Sequence, residues 1–140
     1  MNKKQKYITD EETINCQKVA DVFAELYESE DLLVLNAGRY GFVKLQYFNV
    51  KFGFDTAYIF VDSRSLFDDL WREWLYTQLL DLAEGTPMED MDYGDIFKCL
   101  PKEKQKELSD KRISFAEKTG IANLLVEKTE KPQELLEDLP

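Results

Sequence analysis

The chain has 140 residues, a net charge of −10 and no histidine. This length suits a single domain, and a hydrophobic content of 44% is enough to build a core. The absence of histidine excludes His-ligated metal sites, Ser-His and Cys-His nucleophile pairs and histidine acid–base catalysis. Cys16 and Cys99 are too far apart in sequence for a metal knuckle, and two cysteines do not make a disulfide framework. We therefore expect neither a metal nor another cofactor.

The negative charge is concentrated in part of the chain. Residues 53–97 carry −9, whereas residues 32–52 carry +3. Because phosphate binding needs clustered Lys and Arg, neither duplex nucleic acid nor a membrane is expected as a partner. Another protein with a basic surface is the expected partner, although acidity that serves only solubility would give the same charge, and a homo-oligomer is compatible with the sequence. No apolar run reaches the roughly 18 residues of a membrane span or resembles a signal peptide, so we expect a cytoplasmic location.

The predicted domain extends over residues 9–121. Residues 1–8 are a basic lead that is predicted to be flexible, and residues 122–140 are a tail that is predicted to be docked or partly disordered. A capping-box pattern starts the first helix, with Thr9 accepting from the third helical amide and Glu12 reaching back. This helix, over residues 10–28, has one apolar face. That face contains Cys16, Val19, Phe23, Leu26 and Tyr27.

Three segments rich in β-forming residues follow, at residues 32–35, 42–48 and 56–61. Short connections between them predict an antiparallel meander. Alternation divides the second and third strands into two faces. The first face has Val43, Leu45, Tyr47, Ala57, Ile59 and Val61, and the second has Phe42, Lys44, Gln46, Phe48, Tyr58 and Phe60.

The second, aromatic face has more than one interpretation. A covering helix is expected, because an exposed aromatic face of that size is unusual on a monomer. Aromatic rings interleaved with Lys44 could instead stack single-stranded bases or contact a partner protein. Tyr58 and Phe60 are therefore candidate partner contacts.

Residues 62–85 contain the longest helical period of apolar residues and both tryptophans. The apolar stripe runs from Leu66 to Leu82 and is wide enough to predict a helix covered on two sides. The first helix and the sheet face with Val43, Leu45, Ile59 and Val61 are the expected partners of this stripe.

The start of this central helix carries serines and an arginine. Free amides and the positive end of the helix dipole can bind an anion, which makes Arg39, Ser63, Arg64 and Ser65 candidate anion contacts. No Gly-rich loop precedes the helix, so simple capping is the favoured interpretation. Ser65 and Asp68 have the capping-box spacing.

The densest group of carboxylates follows the helix and comprises Glu89, Asp90, Asp92 and Asp95. An EF-hand loop starting at Asp90 would need glycine at Asp95, so calcium binding is not expected. Catalysis by paired carboxylates would need one of them in a cleft with a raised pKa. The cluster is therefore a candidate contact for a basic partner.

Two further helices are predicted at residues 95–100 and 102–118, followed by an amphipathic segment at residues 133–139. That segment could dock on its own domain, fray, or bind in a groove of a partner. The predicted fold is α+β: an N-terminal helix, a three-stranded antiparallel β-meander, a long central amphipathic helix, and further C-terminal helices packed on the sheet.

The favoured function is a small acidic intracellular protein–protein interaction module without catalysis, of adaptor, inhibitor, immunity or nucleic-acid-mimic type. One alternative is a small-ligand-binding domain or a carboxylate-based enzyme. Such a site would need a pocket formed by Arg39, Tyr40, Asp62 or Arg64. A weaker alternative is single-stranded nucleic-acid binding by the aromatic sheet face.

Overall fold

The computed structural model describes residues 7–26, 32–49, 51 and 53–125. Within these residues the predicted α+β fold is confirmed, because three antiparallel strands in the order β1-β2-β3 are combined with four α-helices. The strands are β1 (Leu32–Asn36), β2 (Phe42–Asn49) and β3 (Gly53–Phe60), and the helices are α1 (Asp10–Leu26), α2 (Ser63–Ala83), α3 (Tyr93–Cys99) and α4 (Lys102–Thr119). Short 3₁₀ turns occupy Gly38–Tyr40 and Ala122–Leu124.

The starts of α1 and α2 are joined through one carboxylate. Thr9 Oγ1 accepts a hydrogen bond from the Glu12 amide at 3.1 Å, which confirms Thr9 as the predicted cap. The Glu12 carboxylate accepts from the backbone amide of Ser63, the first residue of α2. Glu12, which was selected from a local capping pattern, therefore connects the two helices through a bond between residues 51 positions apart in sequence.

The aromatic face of the sheet is turned towards the helices, as expected. Phe42 and Lys44 are each only 1% exposed, and Phe60 packs against the main core. The prediction that α2 packs on the opposite face of the sheet is wrong, because Ile59 is 63% exposed there and Val61 is 39% exposed. The inner face supplies larger side chains to the core, and its lysine meets acidic side chains of α2.

The main core lies between the sheet, α1, α2 and the second half of α4. Phe23 contacts Phe67 and Phe115 edge-on, at ring-centroid distances of 5.6 and 5.7 Å. Trp71 and Trp74 are half-buried, stack on each other at 5.4 Å, and both meet Phe115 edge-on. Aromatic contacts of this kind add to the free energy gained from burial.

A second, smaller core lies between the end of α2, α3 and the start of α4. Its buried members are Leu79, Ala83, Ile96, Leu100 and Leu108. The separation of the two cores along α2 explains the wide apolar stripe, because the first half of the helix serves one core and the second half serves the other. α2 is therefore covered on more than one side, as predicted.

Ile8 and Leu124, near the two ends of the described chain, also contribute to the main core. The Ile8 amide donates to the Arg39 carbonyl at 2.9 Å, and the Ile8 side chain packs against the main core. Leu124 is fully buried in the same core. The predictions made for residues 1–6 and 126–140 fall outside the described residues. No helix in the described ranges is long and apolar enough to cross a membrane.

Candidate functional site

The sheet face that points away from the helices is aliphatic, and we call it the outer sheet face. In the pairing register Leu33 lies opposite Leu45, Leu35 opposite Val43, and Val43 opposite Ile59. These side chains therefore form a continuous surface across all three strands. Its residues are Leu33, Leu35, Val43, Leu45, Ala57, Ile59 and Val61.

Among the described residues, nothing buries the outer sheet face. Ile59 is 63% exposed, Leu35 is 45% exposed and Leu33 is 37% exposed. An antiparallel sheet with one solvated face normally alternates hydrophobic and polar residues, but here both faces are apolar. A contiguous apolar patch on a surface is a feature of interaction sites.

One end of the sheet carries an aromatic and cationic group. The Arg39 guanidinium lies 4.8 Å from the centre of the Tyr7 ring and 5.4 Å from the centre of the Tyr40 ring. Both tyrosines are more than half exposed and contact each other edge-on at 5.8 Å. Tyrosine and arginine are enriched at the energetic centres of protein interfaces.

A glycine holds this group against the sheet. Gly41 adopts a φ of 110°, and a Cβ built there would lie 2.3 Å from the Phe60 carbonyl oxygen. The turn thus approaches the end of β3 at a distance that only glycine permits. This close approach places Gly41, the residue that follows Tyr40, against Phe60 and Val61 at the end of β3.

Lys44 lies on the inner face of the sheet and is only 1% exposed. Its Nζ donates to the carboxylates of Asp69 and of Glu73 on α2, the latter at 3.2 Å, and lies 4.9 Å from the centre of the Tyr58 ring. Asp69 and Glu73 thereby anchor α2 to the sheet. The sequence pattern missed this role because the partner lysine is 25 residues away from Asp69.

The two aromatic candidates on the sheet differ in their surroundings. Phe60 packs into the main core, whereas Tyr58 is 49% exposed and lies beside Lys44. Stacking of single-stranded bases needs exposed ring faces beside a basic groove. Of these two rings only Tyr58 is substantially exposed, and the neighbouring lysine is engaged by carboxylates.

The candidate anion site at the start of α2 is occupied by the protein's own carboxylates. Asp62 is the N-cap and accepts from the Ser65 amide at 2.7 Å, so capping by Ser65 is corrected to capping by Asp62. The Ser63 amide donates to Glu12, and Arg64 donates to the Asn123 carbonyl at 2.5 Å. Arg39 contacts Tyr7 and Tyr40 instead.

This separation also bears on the small-ligand alternative. That alternative would require Arg39, Tyr40, Asp62 or Arg64 to converge on a pocket. In the structure Arg39 contacts Tyr40. Asp62 instead accepts from the Ser65 amide, and Arg64 donates to the Asn123 carbonyl. These contacts do not bring the four residues together.

The acidic cluster between α2 and α3 is exposed at Glu89, Asp90, Asp92 and Asp95. Asp92 is the N-cap of α3 and accepts from the Asp95 amide at 3.0 Å. Two of the four candidate contacts thus have a local role in starting a helix. Among the described residues, no group of three or more Cys, Asp and Glu side chains has a geometry that could hold a metal ion.

The two cysteines have different surroundings. Cys16 is fully buried in the main core, and burial, reinforced by Glu12 and Asp62, raises the pKa of its thiol to about 12. A thiol with so high a pKa is protonated at neutral pH and is a poor nucleophile. Cys99 is exposed on α3, with its Sγ 4.0 Å from the sulfur of Met91.

The outer sheet face was missed as a site by sequence reasoning. Its residues alternate correctly, but the pattern of two apolar faces does not indicate which face is buried. Lys44 on the aromatic face is the signal that could have identified it. Because Lys44 pairs with Asp69 and Glu73, the aromatic face lies against α2 and the aliphatic face is left outside.

Comparisons with protein-family models, with curated proteins and with solved structures give no match.

Proposed function

We propose that this protein is a non-catalytic, cytoplasmic protein-interaction module that binds an amphipathic helix of another protein across the outer sheet face. The observation that carries the proposal is the row Leu35, Val43 and Ile59, which runs across three strands with its two outer members well exposed. Covering such a face with a helix is the usual way in which a sheet buries its apolar side chains.

The dimensions of the face support a single helix as the ligand. Three strands spaced about 4.8 Å apart are about 14 Å wide, and five residues at about 3.3 Å each give a length of about 17 Å. A helix of about 11 residues is about 17 Å long and about 10 Å wide with its side chains. One three-turn amphipathic helix would therefore cover the outer sheet face.

The same dimensions argue against a stable homodimer through this face. Its footprint is about 240 Å² from the spacings above, whereas a standard interface buries about 800 Å² on each partner. A helix ligand can be extended at one end by contacts with Tyr7, Arg39 and Tyr40, which are exposed at the end of the sheet where β1 connects to β2. Such an interface is of the transient type.

The negative charge of the protein favours some partners over others, in addition to the contact with the helix. The net charge of −10 favours association with a protein whose remaining surface is basic, through long-range steering. The exposed carboxylates Glu89, Asp90, Asp92 and Asp95 are available for such contacts. Raising the salt concentration should then slow association, while the apolar contact keeps the dissociation rate nearly constant.

The test compares two double variants of the full chain in cross-linking and affinity purification from native cells. Leu35→Ser with Ile59→Ser changes the outer sheet face. Ile14→Ser with Leu80→Ser is the matched control, because these exposed side chains on α1 and α2 are 58% and 48% exposed. Both double variants should unfold within about 1 kcal/mol of the wild type, since the changes are at the surface.

A partner that binds the wild type and the control should lose at least about tenfold in affinity for the outer-face variant, which corresponds to about 1.4 kcal/mol. The purified partner, or a peptide of its interacting helix, then reproduces the difference by titration calorimetry. Equal binding by the two double variants would refute the proposal. Association that does not depend on salt would refute only the proposal that the remaining surface of the partner is basic.

A further inference from the structure

An apolar groove lies between α2 and α3, on a different part of the molecule from the outer sheet face. Its floor contains Leu75 and Leu79 of α2 and Phe97 of α3, and its volume is about 380 Å³. Tyr76 and Tyr93 stack at its side, with ring centroids 4.0 Å apart and an angle of 9° between the rings. We call this the α2–α3 groove.

Two cations border the groove. Arg72 lies on the α2 side and Lys98 on the α3 side, and both are exposed. Neither side chain forms an ion pair within the described part of the chain. An apolar floor with two available cations matches a ligand that combines aliphatic side chains with carboxylates.

The chain itself contains a segment of that composition. At helical spacing, Leu135, Leu136 and Leu139 fall on one side of residues 133–139. The remaining positions include Glu134, Glu137 and Asp138, and Pro132 stands where a first-turn proline is favoured. We propose that residues 133–139 bind in the α2–α3 groove of the same molecule as a short amphipathic helix.

The length of chain available supports this assignment. The Asn123 carbonyl is held by Arg64 near the start of α2, so the C-terminal segment departs from that end of the helix. From Arg64 to Tyr76 the helix rises about 18 Å, and the seven residues 126–132 can span about 23 Å when extended. The seven residues 133–139 would be about 10 Å long as a helix, which matches the rise of α2 from Arg72 to Leu79.

The side of α2 that leads from Asn123 to the α2–α3 groove is also consistent with this assignment. Arg64, Asp68 and Arg72 follow each other at intervals of four residues, so they lie along one side of the helix. That side leads from the point where Asn123 is held to the cation at the border of the groove. The binding leucines would enter between α2 and α3, and their acidic neighbours would face Arg72 and Lys98.

The two cysteines allow a direct test on the full chain. A nitroxide maleimide should label exposed Cys99 of α3 and leave buried Cys16 unmodified. Paramagnetic relaxation is then measured for the backbone amides of residues 133–139 in uniformly ¹⁵N-labelled protein. We expect these amides to lose most of their peak intensity relative to the reduced label, and Leu135→Asp with Leu136→Asp to restore it.

Charge reversal tests the assignment to this groove. Arg72→Glu with Lys98→Glu should restore most of the intensity, and adding Glu134→Lys with Glu137→Lys should broaden the peaks again. Lys106→Glu with Lys111→Glu is the matched control, because these exposed lysines of α4 do not line the groove and their reversal should leave the broadening unchanged.

Two results would overturn binding of the segment within the same molecule. One is full intensity at residues 133–139 in the labelled wild type, which would mean that the segment does not approach α3. The other is equal broadening when labelled ¹⁴N protein is mixed with unlabelled ¹⁵N protein, which would mean that the segment binds a second copy or that the contact is nonspecific. Broadening that survives reversal of Arg72 and Lys98 would also exclude this groove.

Discussion

Replacement of Lys44 by methionine isolates the energetic role of the buried charge between sheet and helix. The methionine keeps most of the side-chain length and removes the ammonium group, so little packing is lost. What remains is a pair of carboxylates, Asp69 and Glu73, without their cation. Removing one partner of a fully buried pair costs about 3–5 kcal/mol.

The expected cost is smaller here because the carboxylates are only partly buried. The side chains of Asp69 and Glu73 are 20% and 35% exposed, whereas that of Lys44 is 2% exposed. Water therefore screens part of the repulsion that Lys44→Met leaves behind. We expect the free energy of unfolding to fall by about 2–4 kcal/mol at neutral pH.

Urea unfolding followed by tryptophan fluorescence measures this loss, because Trp71 and Trp74 lie in the adjacent core. The triple variant Lys44→Met, Asp69→Asn, Glu73→Gln removes all three charges and should recover to within about 1 kcal/mol of the wild type. Lys106→Met is the matched control. Its ion pair with Asp110 is exposed, so its loss should cost no more than about 0.5 kcal/mol.

Equal losses of stability in Lys44→Met and Lys106→Met would refute a role for the buried charge. A triple variant as unstable as Lys44→Met would also refute it, since the loss would then come from packing and not from uncompensated charge. The set of variants measures the coupling free energy between Lys44 and the two carboxylates.

Two further predictions concern the core and the turn beside the outer sheet face. Because the pKa of Cys16 rises from 9.0 to about 12 on folding, stability should be unaffected near neutral pH and should fall by up to about 4 kcal/mol as the pH rises from about 9 to 12. Urea unfolding of Cys16→Ala over that range should show a shallower decline than Cys99→Ala, and equal slopes would contradict the burial of the thiol. Gly41→Ala should lower the free energy of unfolding by about 3 kcal/mol or more, because it combines an unfavourable φ with the close approach to Phe60. Gly38→Ala should lower it by about 1–2 kcal/mol, because Gly38 has a φ of 68° but open space around it. Thermal unfolding compares the two, and similar costs would exclude the close approach.

The order and type of the elements were predictable because their signals are local. Capping at Thr9 and the long apolar period of α2 each depend on residues within a few turns of one another. The strands were likewise found from short β-forming runs, although β3 begins at Gly53 and not at residue 56. Local signals therefore recover the α+β meander.

The orientation of the sheet and the candidate site depend on contacts between distant residues. Both faces of β2 and β3 offer apolar side chains, so alternation alone could not select the buried one. The contacts of Lys44 with α2 and of Arg112 with the Leu124 carbonyl join residues that are distant in sequence, and sequence patterns assigned neither cation a partner. Sequence patterns treat a charged residue as exposed by default, whereas a paired charge can be buried.

Lys44 connects the fold to the proposed function. Its two carboxylate partners lie on α2. If the other sheet face were turned inward, these three charged groups would lose their partners. Smaller aliphatic side chains would also replace aromatic ones in the core. The ion pairs thus select one of two apolar faces for burial and leave Leu33, Leu35 and Ile59 exposed. Because the stability of the isolated domain does not require those exposed side chains, their retention supports the proposed helix ligand of the outer sheet face.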